Sequence, residues 1–402
     1  MRFLSILIVL VSLGLSGCGS SPSPVLPPVK LTAVENTFAI QRRWQADFGD
    51  GAGENYLKLT PVIADNIFYS LDFHGLVTAY NTQDKSIRWQ SALDVPASTA
   101  LALDKELLLF GSSNGDVMAI GKNDGKLVWH AQVSSEVLAP PAVSRNFVIV
   151  RCLNGMLYAL NLKDGKQIWS VEQNTPALTL RGTSAPVITG DIVLSAFDNG
   201  HLIAVNLQSG KLLWQTAISI PSGRTDLERM VDIDANPVVV DDIVYAVSYQ
   251  GRIAAVQLGS GRILWAREID SYAGMVVDPY RIYLVDSQSQ VWALDRFNGA
   301  TLWKTDVLMR RSLTTPRLQN QYVIVADFDG FVHWLRRDNG KLVARLRLNE
   351  FNYTEPNLDE TQDLNYPKMQ NILAPPILDS NGLIAVDRYG HTEAFDVSYP
   401  GS

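Results

Sequence analysis

A Gly and a Trp stand 14 residues apart again and again along this chain. Gly75 and Trp89, Gly115 and Trp129, Gly155 and Trp169, Gly200 and Trp214, and Gly251 and Trp265 keep the interval. Ser289 to Trp303 and Gly330 to Ala344 keep it with one partner replaced, and an eighth copy at Gly390 has no Trp after it. Pro61, Pro141, Pro186, Pro237, Pro316 and Pro376 each lie a further 14 residues upstream, with Leu101 and Met275 in the other two copies. A module of fixed internal length used this often is one supersecondary unit that must stack on its neighbours to bury its apolar face.

The copy from Asn236 to Ile269 shows what the unit is. "NPVVV", "DDIVYAVS", "IAAVQL" and "ILWAREI" are strand-length runs rich in Val, Ile, Leu and Tyr, bracketed by turn residues. Pro opens the first run, where no ladder donor is needed. The turns "SSNGD", "CLNGM", "FDNGH", "NDGK" and "KDGK" carry the Asn-Gly and Asp-Gly pairs that suit hairpins with positive φ. No comparable stretch has helical period with caps. Four antiparallel strands per unit make a propeller blade. The last copy, ending at Phe395-Asp396-Val397, has three strands, and "FAIQRRWQADF" at the other end supplies Trp44, 17 residues before Pro61 as Trp169 is before Pro186. The expected fold is therefore all-β: an eight-bladed propeller over residues 38–399 whose last blade is closed by the N-terminal strand.

Repeats of this kind form one closed domain, so 402 residues do not imply several. Net charge is −7 with no basic run, which speaks against nucleic acid as a partner. Residues 1–17 carry Arg2 and an apolar stretch from Phe3 to Leu13, the pattern of an export signal. Leu15-Ser16-Gly17-Cys18 resembles the bacterial lipobox, which implies a lipidated Cys18, and Gly19 in place of Asp implies the outer membrane. Residues 18–37, beginning with the Pro- and Ser-rich "GSSPSPVLPPVK", read as a flexible spacer. At about 3.1 Å per residue it would reach roughly 60 Å from the lipid. Cys152 is then the one remaining thiol and reads as a buried structural residue.

The blade also resembles the pyrroloquinoline-quinone dehydrogenase propellers, which makes a periplasmic quinoprotein the enzyme alternative. Adjacent cysteines are absent, and no compact acidic set suited to Ca²⁺ stands out. Gly111-Ser112-Ser113-Asn114-Gly115 spells G-x-S-x-G but falls on a blade hairpin, not on the strand-to-helix turn a nucleophile needs. His74, His201 and His391 belong to blades 1, 4 and 8 and lack metal-ligand spacing. The tryptophans read as packing between blades. No catalytic residue, cofactor or metal is expected; a glycan-binding module is a third class.

Function should lie where the spacing breaks. The intervals from each Trp position to the next Pro position run 17, 12, 12, 17, 23, 10, 13 and 32. Crossings between blades and the Gly hairpins emerge on one face, because four strands alternate in direction. The long crossings after Trp169 and Trp214 flank one blade. They place Leu178, Leu180 and Arg181 near Asp232 and Asp234. Apolar anchors with a polar rim suit an interface; equally, Arg181 could bridge to the carboxylates and pin the loops together.

The lipobox, the eight blades, "LTLRGTSAP" and "DIDANP" together resemble the BamB family, lipoproteins of the bacterial outer-membrane β-barrel assembly machine. The resemblance implies a non-catalytic scaffold on the periplasmic face of the outer membrane. It would dock onto the POTRA domains of BamA through Leu178, Leu180, Arg181, Asp232 and Asp234 and assist unfolded outer-membrane protein clients. The acidic stretch 349–375 departs from the repeat and could be a surface excursion or a second docking site.

Overall fold

The computed structural model describes residues 26–348, 371–379 and 382–400. Eight four-stranded antiparallel sheets form the blades, and no helix occurs among the described residues. Blade 3 is typical, with strands Ala142–Ser144, Phe147–Arg151, Met156–Asn161 and Gln167–Glu172. The inner strands are almost wholly buried, because both faces of each sheet pack on a neighbouring blade. One cluster joins Val117 and Trp129 of blade 2 to Val148 and Leu160 of blade 3; another joins Ala204 and Trp214 of blade 4 to Val244 and Val256 of blade 5.

The conserved interval has a local cause. Each hairpin Gly turns the chain between the second and third strands, with φ of 84° at Gly115 and 83° at Gly155. Its carbonyl then accepts a hydrogen bond from the start of the crossing, as in Val133 N–H to Gly115 O (2.9 Å), Gln173 to Gly155 (3.0 Å) and Ile218 to Gly200 (2.9 Å). Gly hairpins and crossings therefore share one face, as the alternation of strands requires. In blade 6 Ser289 takes the turn at φ 61°, and in blade 5 Gln250 takes the positive φ beside Gly251. The residue three before the Gly caps the turn: Asp72 Oδ1 accepts from His74 N–H and Leu76 N–H at 3.0 and 2.9 Å. Cys152 occupies this position in blade 3. It is buried and free, and burial pushes its thiol up to about 12.

Each Trp reaches the next blade. The indole N–H of Trp129 donates to Leu162 O, Trp169 to Leu207 O and Trp214 to Leu258 O, at 2.8, 2.8 and 2.7 Å. The rings lie over the glycine of that blade's outer hairpin. A Cβ on Gly165 would sit 2.6 Å from Trp129, and one on Gly210 2.8 Å from Trp169. The fixed spacing is thus a docking contact repeated around the ring.

The N-terminal strand Ala39–Asp47 closes blade 8 against His391–Ser398, from Ala39 opposite Ser398 to Asp47 opposite His391. His391 Nδ1 meets Asp47 Oδ1 at 2.7 Å, and Phe48 N–H donates to Gly390 O at 3.1 Å. Trp44 packs on Phe68 and Tyr80 of blade 1, with ring centres 5.9 and 5.3 Å away.

One expectation is corrected. Residues 26–37 are not a free spacer, because they lie along blade 7. Val29 N–H donates to Met309 O (3.1 Å), Arg345 Nη1 to Thr32 O (2.8 Å) and Thr37 N–H to Val343 O (3.1 Å), while Leu31 packs on the cluster between blades 6 and 7. Apolar burial and backbone pairing overcome the extended preference of a Pro-rich sequence. The signal segment, Cys18 and residues 349–370 lie outside the described residues.

Candidate docking site

The crossing from blade 3 to blade 4 is held from beneath by the crossing from blade 4 to blade 5. The Leu180 amide donates to Asp232 Oδ2, and Thr183 N–H donates to Asp234 Oδ1 at 3.2 Å. Ser184 Oγ donates to Ala235 O at 3.0 Å and Ala185 N–H to Asn236 Oδ1 at 2.7 Å. Asp232, Asp234, Ala235 and Asn236 of the second crossing thus take polar groups of Leu180, Thr183, Ser184 and Ala185 of the first, in the same order. Asp232 and Asp234 do share a side, and that side faces inward: both are buried.

Their environment is a closed charge cluster. Arg151, 2% exposed, pairs with buried Asp198 and donates from Nη1 to Gly182 O at 2.7 Å. A Cβ at Gly182 would lie 3.1 Å from Asp234 Oδ1 and 3.3 Å from Arg151 Nη1, so only glycine lets the backbone come this close. Burial, with Asp198 and Asp234 adding to it, pushes the Asp232 carboxyl up to about 7 against the pull of the Leu180 amide. Burial also raises Asp234, and Lys58 is the largest influence opposing that rise. Desolvation of the Lys58 amine lowers it, although the residue as a whole is exposed, and Asp234 offsets this in part.

Above this cluster the loop presents Leu178 and Leu180, 43% and 38% exposed. Arg181 lies beside them with φ 61°, and its Nη2 donates to Glu136 Oε1 at 2.7 Å. Arg181 therefore bridges to the preceding crossing, between blades 2 and 3, and not to Asp232 or Asp234. The five residues expected at the site form two layers: Leu178, Leu180 and Arg181 outside, Asp232 and Asp234 inside. Asp232 has no exposed surface in this fold.

Sequence reasoning missed Arg151, Asp198, Glu136 and Lys58. Arg151 carried a legible signal: it ends the run "FVIVR" where the same strand elsewhere ends in Leu71, Ala196, Val247 or Val285. An Arg in that position has to find a buried partner. Glu136, on an ordinary short crossing, gave none.

Among the described residues no group of three or more His, Cys, Asp or Glu side chains could hold a metal ion.

Fold and repeat define a propeller of quinoprotein-like blades with a built loop on its crossing face. The family model "Outer membrane protein assembly factor BamB" matches residues 74–305. Curated proteins of that name resemble the chain closely. The Pseudomonas aeruginosa protein is 36% identical, covering 85% of this chain and 90% of its own length. For Kangiella koreensis the values are 34%, 97% and 95%, and for Escherichia coli K12 37%, 85% and 91%. The chain belongs to the BamB family. Among solved structures, BamB from Moraxella catarrhalis superposes with a TM-score of 0.78 at 22% identity, covering 89% of this chain and all of that one. Quinohemoprotein alcohol dehydrogenase from Comamonas testosteroni shares the fold at a TM-score of 0.69 and 11% identity, covering 91% of this chain and 78% of that one.

Proposed function

We propose that this chain is a non-catalytic assembly factor for outer-membrane β-barrel proteins, held at the periplasmic face of the outer membrane by a lipid on Cys18. It docks onto POTRA domains of BamA through Leu178, Leu180 and Arg181. Asp232, Asp234 and Arg151 act on the partner only by holding that loop. The observation carrying this reading is the layered loop: exposed leucines on a backbone fixed by buried charges. A preorganised apolar patch loses little entropy on binding, which is where interfaces gain affinity. Leucines on an unsupported loop would fold inward or forfeit that gain.

The test is capture of BamA POTRA domains by the purified protein, with melting followed in parallel. Leu178→Asp and Arg181→Ala should abolish or strongly weaken capture with melting unchanged. Asp232→Ala should lower both, because it releases the loop. Full capture by the Leu178→Asp, Arg181→Ala double variant would place docking elsewhere on the ring.

A further inference from the structure

Blade 7 differs from its neighbours at one outer-strand position. Val128, Ile168, Leu213, Leu264 and Leu302, each just before a Trp, are 52%, 43%, 47%, 41% and 49% exposed. Val343, at the same place in blade 7, is 6% exposed because residues 26–37 cover it. Asn36 makes a reciprocal pair with the Arg345 backbone, its Oδ1 accepting from Arg345 N–H at 2.8 Å and its Nδ2 donating to Arg345 O at 3.1 Å. Arg310 Nε donates to Pro27 O at 2.7 Å. Thr37 lies at the start of the outer strand Leu342–Arg347, whereas Val29 and Pro27 meet Met309 and Arg310 in the crossing from blade 6. Followed backwards, the chain therefore traverses the whole edge of blade 7. It leaves the ring on the crossing face, between blades 6 and 7.

From this path we infer that residues 27–37 are a strap that sets how the ring sits on a lipid surface: the blade 6–7 rim of the crossing face is the part held nearest the membrane. The inference rests on the proposed lipid at Cys18. Only nine residue steps separate Cys18 from Pro27. Fully extended, they span at most about 30 Å, half of what a spacer free to residue 37 would allow. The opposite face, carrying Tyr280 in the hairpin that opens blade 6, is set farther from the anchor by the height of the blade, about 20 Å for a six-residue strand. The Leu178–Arg181 loop opens on the crossing face as well, so the strap holds the docking face on the membrane side.

The test uses full-length lipidated protein on phosphatidylethanolamine–phosphatidylglycerol vesicles carrying a headgroup nitroxide lipid. A dye is placed at Asp306→Cys on the rim or at Tyr280→Cys on the opposite face. Native Cys152, buried and with its thiol pushed up to about 12, stays unlabelled. Quenching should be several-fold stronger at position 306. Arg345→Ala with Asn36→Ala should erase the difference, and Asn36→Ala alone should reduce it if the Arg345 change impairs folding. Equal or reversed quenching with the intact strap overturns the inference. Failure of the unmodified protein to float with vesicles would instead remove the lipid anchor, and the inference with it.

Discussion

Trp334 faces Ala344 across the two outer strands of blade 7, the reverse of the pairing elsewhere. In other blades a third-strand Ala faces an outer-strand Trp: Ala119 faces Trp129, Ala159 faces Trp169 and Ala394 faces Trp44. The cause lies in the following blade. Blade 8 has no outer hairpin to place a glycine under an indole, since its outer strand comes from the N-terminus, and it presents Phe38 and Tyr399 to blade 7 instead. Such a glycine is usual but not required, because Trp44 meets Phe68 and Tyr80 of blade 1, whose outer hairpin turns at Lys85. The space is filled from both chain ends. Phe38 packs on Trp334 and Tyr399 at 6.1 and 5.1 Å, and Trp334 Nε1 donates to Tyr399 Oη at 3.1 Å.

Trp334→Ala should therefore loosen the seam where the ring closes. Trp334 is fully buried, and deleting such a side chain costs about 3–5 kcal/mol. Denaturant unfolding measures this. The exchange Trp334→Ala with Ala344→Trp should not restore stability, because Phe38 and Tyr399 still lose the indole they pack on and hydrogen-bond with; recovery to wild type would refute that role.

Gly165 and Gly190 both have positive φ, 70° and 58°, but only Gly165 lies under an indole. Replacing Gly190 by Ala meets nothing within 4 Å and should cost about 1 kcal/mol from backbone strain. Gly165→Ala adds displacement of Trp129, a further penalty of about 1–3 kcal/mol. Similar melting temperatures for the two variants would contradict the contact.

His391 ties the closing strand to the last one. Glu393 and Asp47 raise its imidazole to about 9 against desolvation. A folded value above the unfolded one of 6.5 gives stability that is complete below pH 6.5 and lost as pH rises through 9. Discounting for exposed Asp47, the loss is about 1–2 kcal/mol. Asp232, raised from 3.8 to about 7, has the same sign in a lower window, favouring the fold below pH 4 and losing that through pH 7. Unfolding titrations should show both, with His391→Gln removing the alkaline component and Asp232→Asn the acidic one.

Arg151→Ala leaves Asp198 buried without its cation and Gly182 O without its donor. Breaking a buried pair from one side costs about 3–5 kcal/mol. Arg181→Ala breaks an exposed pair with Glu136, worth about 1 kcal/mol or less. Hydrogen exchange should rise across 178–183 for the first variant far more than for the second.

The repeat was legible because a docking contact recurs at fixed distance: each Gly turn and each Trp serves the same neighbour relation, so the interval alone gives eight blades and their closure. The loop Leu178–Arg181 was legible for a related reason, since it breaks that interval. The sequence could not say which way the site faces. Asp232 and Asp234 alternate as an exposed pair would, yet buried Arg151 and Asp198 of blades 3 and 4 close around the same loop only once the blades are packed. Nor could composition show that "PPVKLTAVENT" is bound, since its partners Met309, Val343 and Arg345 are some 300 residues away. Local sequence sets turns, strands and repeat length. Which charges are buried, and where the chain leaves the ring, are decided by residues far apart in sequence that closure brings together.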